Sequence, residues 1–271
     1  MTENFDYTLE LDFAKSLARQ AGRMLLDSYN APTGVLTKSD GTLVSDVDKR
    51  VARFIVAELA KKFPQYAILD EENPLRHPEK QTEGLWIIDP LDGTRQYLAK
   101  GRDFGVLIGL VKDGKPILGV AYRPVIDELA YAEHDRGAFM QTNGKITKLE
   151  VTNSKNLSVL VSDSREDSEL TKLLDSLQPE KVHKMHGAFK AVEVAKGTTT
   201  AYMCSRINTM HVWDICAPSI IVTEAGGKVT DLHGKPINYS LKETTKCKNG
   251  IIVSNGFMHE RIIATIAPII G

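Results

Sequence analysis

Apolar side chains recur at helical spacing in two segments near the N-terminus, and this pattern predicts two amphipathic helices. The first covers residues 8–29. A polar stretch rich in glycine, proline and threonine, residues 30–42, follows it and is expected to form a loop. The second helix begins after Ser45, whose hydroxyl is a candidate N-cap. The apolar positions that form its buried face are Val47, Val51, Phe54, Ile55 and Leu59.

Short apolar runs replace the helical pattern after the second helix, and they predict β-strands. Residues 66–73 and the run that starts at Trp86 both end in carboxylates. From Asp103 to Lys145, four apolar runs alternate with turn sequences, and Asp113-Gly114 is a strong signal for a tight hairpin. This part of the chain is therefore predicted to be an antiparallel meander.

Strands alternate with helices in the remainder of the chain. Helices are expected at residues 166–177, 187–197 and 214–227, the last closed by Gly226 as a C-cap. The strands between and after them are the runs SVLVSD, TAYMC, KVTDL and NGIIVSN.

The order of these elements indicates an α+β fold with mixed sheets covered by helices. A chain of 271 residues is long enough for one large domain or two packed halves. The polar connection around residues 152–158 divides it into an N-terminal α+β half, residues 1–155, and a C-terminal α/β half, residues 156–271.

Composition and charge limit the classes of partner. The chain is 42% hydrophobic, and its 34 basic residues nearly balance its 35 acidic residues. Without a global basic field it is not expected to bind a nucleic-acid polymer, although a small anionic ligand stays open. Cys204, Cys216 and Cys247 lack the spacing of a disulfide framework or a zinc finger and fit the reducing cytoplasm. The acidic N-terminus and the lack of a run of about 20 apolar residues predict neither a signal peptide nor a membrane span.

Two aspartates at the end of one apolar strand, Asp89 and Asp92, are the first candidates for chemistry. Their charges repel each other unless a cation neutralises them. Pro90 fixes the backbone between them, so the two carboxylates and the carbonyl oxygen of Leu91 can converge. Oxygen ligands of this kind suit a hard cation such as Mg²⁺ or Ca²⁺, whereas zinc would usually take histidine or cysteine.

Gly93 and Thr94 follow directly and add the features of an anion site. Glycine allows a ligand to approach the backbone closely. Thr94 supplies a hydroxyl at the expected start of a helix, whose free N–H groups can hold a phosphate. A cation site beside a phosphate site indicates metal-assisted transfer of a phosphoryl group to water.

Three further acidic segments end apolar runs, and each has a structural alternative. Asp46 and Asp48 could serve only the start of the second helix, with Asp48 and Ser45 forming a capping box. The sequence Asp70-Glu71-Glu72 could be a solvated loop, and Asp214 could be a helix N-cap.

The segment WIIDPLDGT, residues 86–94, resembles the signature of the inositol monophosphatase superfamily of Mg²⁺-dependent, lithium-sensitive phosphatases. The segment WDICAPSIIVTEAGG, residues 213–227, is similar to the second signature of that superfamily. The segments LVSDVD and LDEEN stand where the family has its other acidic elements. The resemblance covers nearly the whole chain and implies a layered α-β-α-β-α sandwich of the inositol monophosphatase and fructose bisphosphatase type.

The resemblance also implies ligands for two Mg²⁺ ions and leaves a third open. The ligands would be Glu71, Asp89 and the Leu91 carbonyl for the first ion, and Asp89, Asp92 and Asp214 for the second. Asp48 and Glu72 would help a third, weaker ion or its waters.

Roles around the reacting phosphate follow from the same resemblance. Thr94, together with Glu71 or Asp48, would position the attacking water, and the backbone N–H groups of Gly93 and Thr94 would bind the phosphate. Asp48 aligns with the acidic position of the family, which leaves Asp46 as the structural residue. The cations would lower the pKa of a bound water and stabilise the leaving oxygen, so no protein nucleophile is needed.

The surroundings of the motifs are most similar to those of the 3'(2'),5'-bisphosphate nucleotidases. The segment HGAFKAVEVAKG resembles the one in which a lysine of those enzymes reaches the second phosphate, and Lys190 occupies that position. A solvated helix lysine is the alternative. Arg206 is a further candidate phosphate contact, and Ile207 stands where inositol monophosphatases have a glutamate. The expected reaction is hydrolysis of adenosine 3',5'-bisphosphate to AMP and phosphate.

Other functions stay open at this point. An inositol monophosphatase, or another sugar- or polyol-phosphate phosphatase such as a histidinol-phosphate phosphatase, has the same fold. A catalytically inactive nucleotide- or metal-binding regulator belongs to a different class, and the intact acidic set together with Thr94 argues against it. The predicted partner is a small phosphorylated substrate, and a homodimer is left open.

Overall fold

The computed structural model of the protein describes residues 6–30, 34–37, 43–73, 82–163, 167–187, 189–206, 210–239 and 244–271. The α-helices of these residues are α1 (Thr8–Asp27), α2 (Asp46–Lys62), α3 (Thr94–Leu98), α4 (Ser168–Leu177), α5 (Lys190–Ala195), α6 (Val212–Glu224) and α7 (His259–Ile270). None of the helices in this described part combines the length and the apolar composition that a membrane crossing requires.

One large sheet occupies the first half of the chain. A short antiparallel pair, β1 (Val35–Thr37) and β2 (Leu43–Ser45), precedes α2. Seven strands then form the sheet in chain order, and these are β3 (Ala67–Asp70), β4 (Leu85–Asp92), β5 (Gly105–Lys112), β6 (Lys115–Arg123), β7 (Glu128–Glu133), β8 (Ala138–Thr142) and β9 (Lys145–Leu149). β3 and β4 are parallel, and every later pair is antiparallel, as the predicted meander requires.

A second, five-stranded sheet is mixed. Its strands are β10 (Ser158–Ser162), β11 (Lys181–Met185), β12 (Ala201–Cys204), β13 (Lys228–Thr230) and β14 (Ile251–Ser254). Their order across the sheet is β11-β10-β12-β14-β13. β10 is parallel to both of its neighbours, and β14 is antiparallel to both of its neighbours.

Alternation of side chains along the strands divides them among three apolar cores. Trp86 and Ile88 of β4 face the first core, with α1 and α2, whereas Ile87 faces the second core, with α5 and α6. Tyr202 of β12 closes the second core from the other side, and Met203 faces the third core, with α4 and α7. The layers therefore run helices, sheet, helices, sheet, helices, which confirms the predicted α-β-α-β-α sandwich.

The second core connects the two halves of the chain. The predicted boundary near residue 155 falls between the sheets, since β9 ends at Leu149 and β10 begins at Ser158. The second core nevertheless takes side chains from both sides of that boundary, such as Leu107 and Ile221. Each half therefore depends on the other to bury one of its apolar faces.

Close packing of α6 on the seven-stranded sheet depends on two residues without side chains. A Cβ atom on Gly109 of β5 would lie 2.6 Å from Sγ of Cys216. A Cβ atom on Gly119 of β6 would lie 2.5 Å from the carbonyl oxygen of Ala217. Both distances are shorter than van der Waals contact, so glycine is needed at these two positions for α6, which carries Asp214, to lie this close to the sheet.

Several predicted elements have different ends in the structure. α6 begins two residues before the predicted start, and Gly226, with φ of 91°, follows it as the predicted C-cap glycine. α5 is shorter than the predicted helix 187–197. The predicted loop 30–42 contains β1, and its residues 31–33 and 38–42 lie outside the described part of the chain.

Candidate metal and phosphate site

A β-bulge at the end of β4 brings two carboxylates to the same side of the strand. Asp89 pairs with Leu107 of β5 and Asp92 pairs with Gly105, so three steps along β4 match two steps along β5. The extra residue interrupts the alternation of side chains. Asp89 and Asp92, which a regular strand would turn to opposite faces, therefore point toward one site, and both are buried.

Asp214 adds a third carboxylate from the first turn of α6. Ligand oxygens of Asp89, Asp92 and Asp214 all lie within 4.8 Å of one another. Asp214 also caps the helix, because its Oδ2 accepts a hydrogen bond of 2.7 Å from the N–H of His211. The N-cap residue is His211, so the predicted N-cap role of Asp214 is wrong in position, although Asp214 does serve the start of α6 as the capping-box partner of His211. This hydrogen bond does not remove Asp214 from the cluster.

Glu71 lies close enough to complete what we call the carboxylate cluster, Glu71, Asp89, Asp92 and Asp214. It follows β3, and its N–H donates to the carbonyl of Ile88 at 3.2 Å. Burial raises the pKa of Asp89 well above its ordinary value, and the charges of Glu71, Asp92 and Asp214 raise it further. Burial and the charge of Glu71 likewise raise the pKa of Asp214. The cluster therefore needs a counter-charge when its members are ionised.

The donor atoms of the site fit a hard divalent cation. The oxygens of three carboxylates converge, and the carbonyl oxygen of Leu91, which lies between Asp89 and Asp92 in the chain, is 3.2 Å from Oγ1 of Thr94. The Leu91 N–H donates to Oδ1 of Asp89 at 3.0 Å, which holds the bulge in shape. Carboxylate and carbonyl oxygens are the ligands that Mg²⁺ and Ca²⁺ prefer.

Thr94 lies between the Leu91 carbonyl and the side chain of Asp48. The Thr94 hydroxyl donates to Oδ1 of Asp48 at 2.9 Å, while Oδ2 of Asp48 accepts from the N–H of Ser45 at 2.8 Å. The predicted capping box is present, so Asp48 serves the start of α2 with one oxygen and Thr94 with the other. Burial raises the pKa of Asp48, against the effect of these hydrogen bonds.

The neighbouring acidic residues lie in different surroundings. Asp46 is exposed, in line with the structural assignment made from the sequence. Glu72 is half-buried, and its N–H donates to Oδ1 of Asp70 at 3.0 Å. Asp70 itself is buried at the end of β3, so this segment is not a solvated loop.

Gly93 turns the chain from β4 into α3. Its φ is 83°, and a Cβ atom there would lie 2.6 Å from the carbonyl oxygen of Asp103, so the position requires glycine. The first N–H groups of a helix have no partner within that helix. Those of Gly93 and Thr94 follow Asp92 directly, which is where an anion beside the carboxylate cluster would be held.

Lys190, the first residue of α5, is buried rather than solvated, with 3% of its surface exposed. Its ammonium donates to the carbonyl of Gly187 and lies 5.3 Å from the ring centroid of Tyr202. Burial lowers the pKa of Lys190, while the charges of Asp92 and Asp214 act in the opposite direction. The alternative of a solvated lysine is therefore wrong, and this ammonium belongs electrostatically to the carboxylate cluster.

Sequence reasoning missed how closely Gly187 lies against the site. Gly187 has φ of 71°, and a Cβ atom on it would lie 3.0 Å from Oδ2 of Asp92. Tyr202, beneath the ammonium, is buried and donates its hydroxyl to Sδ of Met210 at 2.9 Å. The signal in the sequence was a glycine three residues before a lysine, which is too common to predict this contact.

Arg206, the second candidate phosphate contact, is paired with a different carboxylate. Its Nε donates to Oε1 of Glu169 at 2.6 Å, and its main-chain N–H donates to the same side chain at 2.8 Å. Its Nη1 donates to the carbonyl of Ile270 at 3.2 Å. A phosphate contact by Arg206 would require the pair with Glu169 to open. Ile207 lies outside the described residues.

Comparisons with known proteins place this geometry in a family. The model of the Inositol monophosphatase family matches residues 6–270. The chain is 34% identical over 234 residues to the 3'(2'),5'-bisphosphate nucleotidase CysQ of Buchnera aphidicola, covering 85% of this chain and 88% of that protein. It is 30% identical over 265 residues to the fructose-1,6-bisphosphatase/inositol-1-monophosphatase of Thermotoga maritima, covering 96% of each. The solved structure of a Thermotoga maritima IMPase has a TM-score of 0.80 at 29% identity, covering 97% of this chain and 99% of that one.

The layered fold and its carboxylate cluster define a phosphatase, a hydrolase of phosphoric monoesters. The chain belongs to the inositol monophosphatase family, as its two sequence signatures predicted. Enzymes of this family generally depend on a metal, usually Mg²⁺.

Proposed function

We propose that the protein is a Mg²⁺-dependent, lithium-sensitive 3'(2'),5'-bisphosphate nucleotidase that hydrolyses adenosine 3',5'-bisphosphate to AMP and phosphate. The observation that carries the proposal is the buried ammonium of Lys190 beside the carboxylate cluster. A substrate with a second phosphate needs a cation there, and a substrate with one phosphate does not. The 34% identity to a CysQ nucleotidase supports the same substrate class.

We assign the carboxylate cluster to two Mg²⁺ ions and leave a third, weaker ion open. The ligands would be Glu71, Asp89 and the Leu91 carbonyl for the first ion and Asp89, Asp92 and Asp214 for the second, and Asp48 and Glu72 would help a third ion or its waters. When bound, Mg²⁺ neutralises the carboxylates and the phosphate oxygens and lowers the pKa of a water. The raised pKa values of Asp89 and Asp214 support this assignment, because burial and the neighbouring carboxylates disfavour the ionised form of both groups, which a bound cation would stabilise.

Thr94 and Asp48 position the attacking water in this proposal. The Thr94 hydroxyl donates its hydrogen to Asp48, so its oxygen is left to accept a hydrogen bond from the water. Glu71 or Asp48 accepts the proton that the water loses. The N–H groups of Gly93 and Thr94 hold the phosphate, and the water attacks phosphorus in line with the ester oxygen without a protein nucleophile. The bond from phosphorus to the ribose oxygen breaks, and that oxygen takes a proton from solvent and leaves as the hydroxyl of AMP.

A sugar- or polyol-phosphate phosphatase is the second candidate. The fructose-1,6-bisphosphatase/inositol-1-monophosphatase of Thermotoga maritima favours it, since that alignment spans 96% of this chain. Both candidate reactions would use the same carboxylates at the reacting phosphate. They differ only in which residues bind the rest of the substrate. Arg206 would add a phosphate contact in either case if its pair with Glu169 opens.

A phosphate-release assay over four substrates tests the proposal. The substrates are adenosine 3',5'-bisphosphate, fructose 1,6-bisphosphate, inositol 1-phosphate and adenosine 2'-monophosphate. The first is expected to give the highest kcat/KM with Mg²⁺, and lithium is expected to inhibit. Faster hydrolysis of inositol 1-phosphate or fructose 1,6-bisphosphate would overturn the nucleotidase assignment.

Lys190→Ala tests the observation that carries the proposal. Loss of a charge-assisted hydrogen bond costs about 1.5–3 kcal/mol, so kcat/KM for adenosine 3',5'-bisphosphate is expected to fall roughly 10- to 150-fold. Hydrolysis of adenosine 2'-monophosphate is expected to change little. Lys172→Ala, on the exposed side of α4, is the matched control. Equal losses on both substrates would remove Lys190 from substrate binding.

A further inference from the structure

An ion cluster joins the first half of the chain to α5. Arg123 ends β6, and its guanidinium pairs with Glu128 at the start of β7 and, at 2.8 Å, with Oε1 of Glu193 on α5. Lys196 adds a second cation, 3.0 Å from Glu193 and 3.4 Å from Glu128. The Arg123 side chain is only 6% exposed, so water screens these attractions little.

The same guanidinium covers the ring of Phe189. Its central carbon lies 5.2 Å from the ring centroid. The edge of the ring lies against Gly105, where a Cβ atom would be 2.6 Å from Cζ of Phe189. Gly105 is the residue that pairs with Asp92 between β4 and β5. Phe189 is therefore held between Arg123 and the backbone beside the carboxylate cluster, and the next residue is Lys190.

We propose that Arg123 is a positioning residue that sets the place of the Lys190 ammonium through Glu193 and Phe189. The helix α5 has only six residues, so its own hydrogen bonds fix its position weakly. The N–H of Glu193 donates to the carbonyl of Phe189 at 3.0 Å, so the ion pair and the ring contact hold the same helical turn. The inference rests on the proposed function, since the position of Lys190 matters for a substrate with a second phosphate.

A purely structural role for Arg123 would have different consequences. A buried ion pair contributes little net stability compared with apolar packing, because the loss of hydration offsets the attraction, but removing one partner alone leaves a buried charge unpaired and lowers stability. Within the described part of the chain, Nε of Arg123 has no hydrogen-bond partner, which adds to the cost of burying it. A structural role would lower stability and all activities together, whereas a positioning role changes one substrate more than another.

The test compares two replacements of Arg123 with a matched control. Arg123→Met keeps an apolar contact with Phe189 and removes the charge, and Arg123→Lys keeps the charge but loses the planar fork. Arg19→Met is the control, because Arg19 on α1 also forms an ion pair, at 2.6 Å from Asp127 in the turn before β7, but it has no hydrogen bond or ion pair with α5 among the described residues. Melting temperatures are measured in parallel.

The readout is kcat/KM for adenosine 3',5'-bisphosphate divided by kcat/KM for adenosine 2'-monophosphate. Arg123→Met is expected to lower this ratio about tenfold, since a small displacement of a binding group costs up to roughly 100-fold. Arg123→Lys is expected to lower it less, and Arg19→Met is expected to leave it unchanged. In a Lys190→Ala background, Arg123→Met is expected to leave the ratio unchanged, because the ammonium that it positions is gone.

Different outcomes separate the inference from the proposed function. Equal losses on both substrates, or a further fall of the ratio in the Lys190→Ala background, would overturn the role of Arg123. A ratio that depends on Lys190 but not on Arg123 would overturn the inference alone. A wild-type enzyme that does not prefer the bisphosphate would overturn the proposed function and the inference with it. If Arg123→Met does not fold, Glu193→Gln interrupts the same ion pair and is expected to lower the ratio in the same way.

Discussion

Asp89 is the member of the carboxylate cluster whose pKa is raised by all three of the others. Glu71, Asp92 and Asp214 all raise its pKa, and it has 1% of its surface exposed. Water cannot stabilise its charge at that depth, so a cation must do so when the group is ionised. Of the proposed metal ligands, Asp89 is therefore the one whose negative charge matters most for metal binding.

Asp89→Asn is expected to reduce kcat by several orders of magnitude, because the change keeps the shape of the side chain and removes a charge assigned to two metal ions. The protein is expected to fold, since the substitution relieves repulsion among buried carboxylates. Mg²⁺ is expected to raise the melting temperature of the wild type and to raise that of the variant much less. Asp46→Asn, at an exposed position, serves as the control. Near-normal turnover of Asp89→Asn at saturating Mg²⁺ would contradict the assignment.

Thr94→Ala removes a hydroxyl and keeps the backbone N–H groups of the phosphate site. We expect kcat to fall about 100-fold and KM to change little, which is the pattern of an interaction that matters mainly in the transition state. Thr94→Ser keeps the hydroxyl that donates to Asp48 and is expected to retain most of the activity. Steady-state kinetics of the two variants decide the point, and an effect on KM alone would move Thr94 to substrate binding.

Each carboxylate of the cluster could be singled out from the sequence as an acidic residue at the end of an apolar segment, but its assignment to a particular metal ion, and that of the Leu91 carbonyl, came only through the resemblance to the family. The burial of Lys190 could not be predicted, since it depends on Gly187 and Tyr202, which belong to separate segments. Arg206 is a residue that the sequence favours as a phosphate contact but that the structure pairs with another side chain. Its charge suits a phosphate, but Glu169, which is 37 positions away in the chain, already pairs with it.

The helix α6 places Asp214 next to Asp89 and Asp92 of β4. Its first turn carries Asp214, and its next turn packs on β5 and β6 where Gly109 and Gly119 leave room. The distance between Asp214 and Asp89 therefore depends on how closely this helix lies on the sheet. A small outward movement of α6 would separate the ligands of the second proposed metal.

Gly109→Ala is expected to cause such a movement. The added methyl would lie 2.6 Å from Sγ of Cys216, and overpacking of this kind costs about 1–3 kcal/mol of the free energy of unfolding. We also expect weaker Mg²⁺ binding, measured as a smaller rise of the melting temperature on addition of Mg²⁺.

The double variant Gly109→Ala/Cys216→Ala provides the control. Removing Sγ takes away the atom that the new methyl meets first, so part of the lost stability and Mg²⁺ response is expected to return. Full Mg²⁺ response in Gly109→Ala would show that the position of Asp214 does not depend on this contact.

Two edge strands and the last helix were not predicted from the sequence, for different physical reasons. β9 and β11 lie at the edges of their sheets, and four of the five side chains in each are exposed. A strand with solvent on both faces has no alternation to detect. In α7 the buried residues Ile262, Ile266 and Ile270 do follow helical spacing, but its many isoleucines favour extended structure locally.

The two halves of the molecule each supply part of the site. Asp89 and Asp92 come from the first half, and Asp214 and Lys190 come from the second. The second core is continuous between the halves and includes side chains of both sheets. The layer order could be predicted through the resemblance, but the sharing of this core could not, because it depends on which face of each strand meets α5 and α6.

A shared core predicts that the halves unfold together. The chain has two tryptophans, Trp86 in the first core and Trp213 in the second. In each single-tryptophan variant, Trp86→Phe or Trp213→Phe, the fluorescence midpoint in denaturant is expected to coincide with the midpoint from circular dichroism. Trp86→Phe is tolerable, because Nε1 of Trp86 has no hydrogen-bond partner among the described residues. Midpoints that separate would show that the halves unfold one after the other.

Gly187 lies against Asp92, yet the proposed metal ligands all come from other segments. In the proposed function, the reaction and the choice of substrate would therefore be encoded in different stretches of the gene. After a gene duplication, one copy could accumulate codon changes at Gly187 and in α5 and acquire a new substrate, while the inherited carboxylates still supported hydrolysis of the ester. Such a lineage could diversify in few mutational steps, because the carboxylates of the proposed metal site are inherited unchanged.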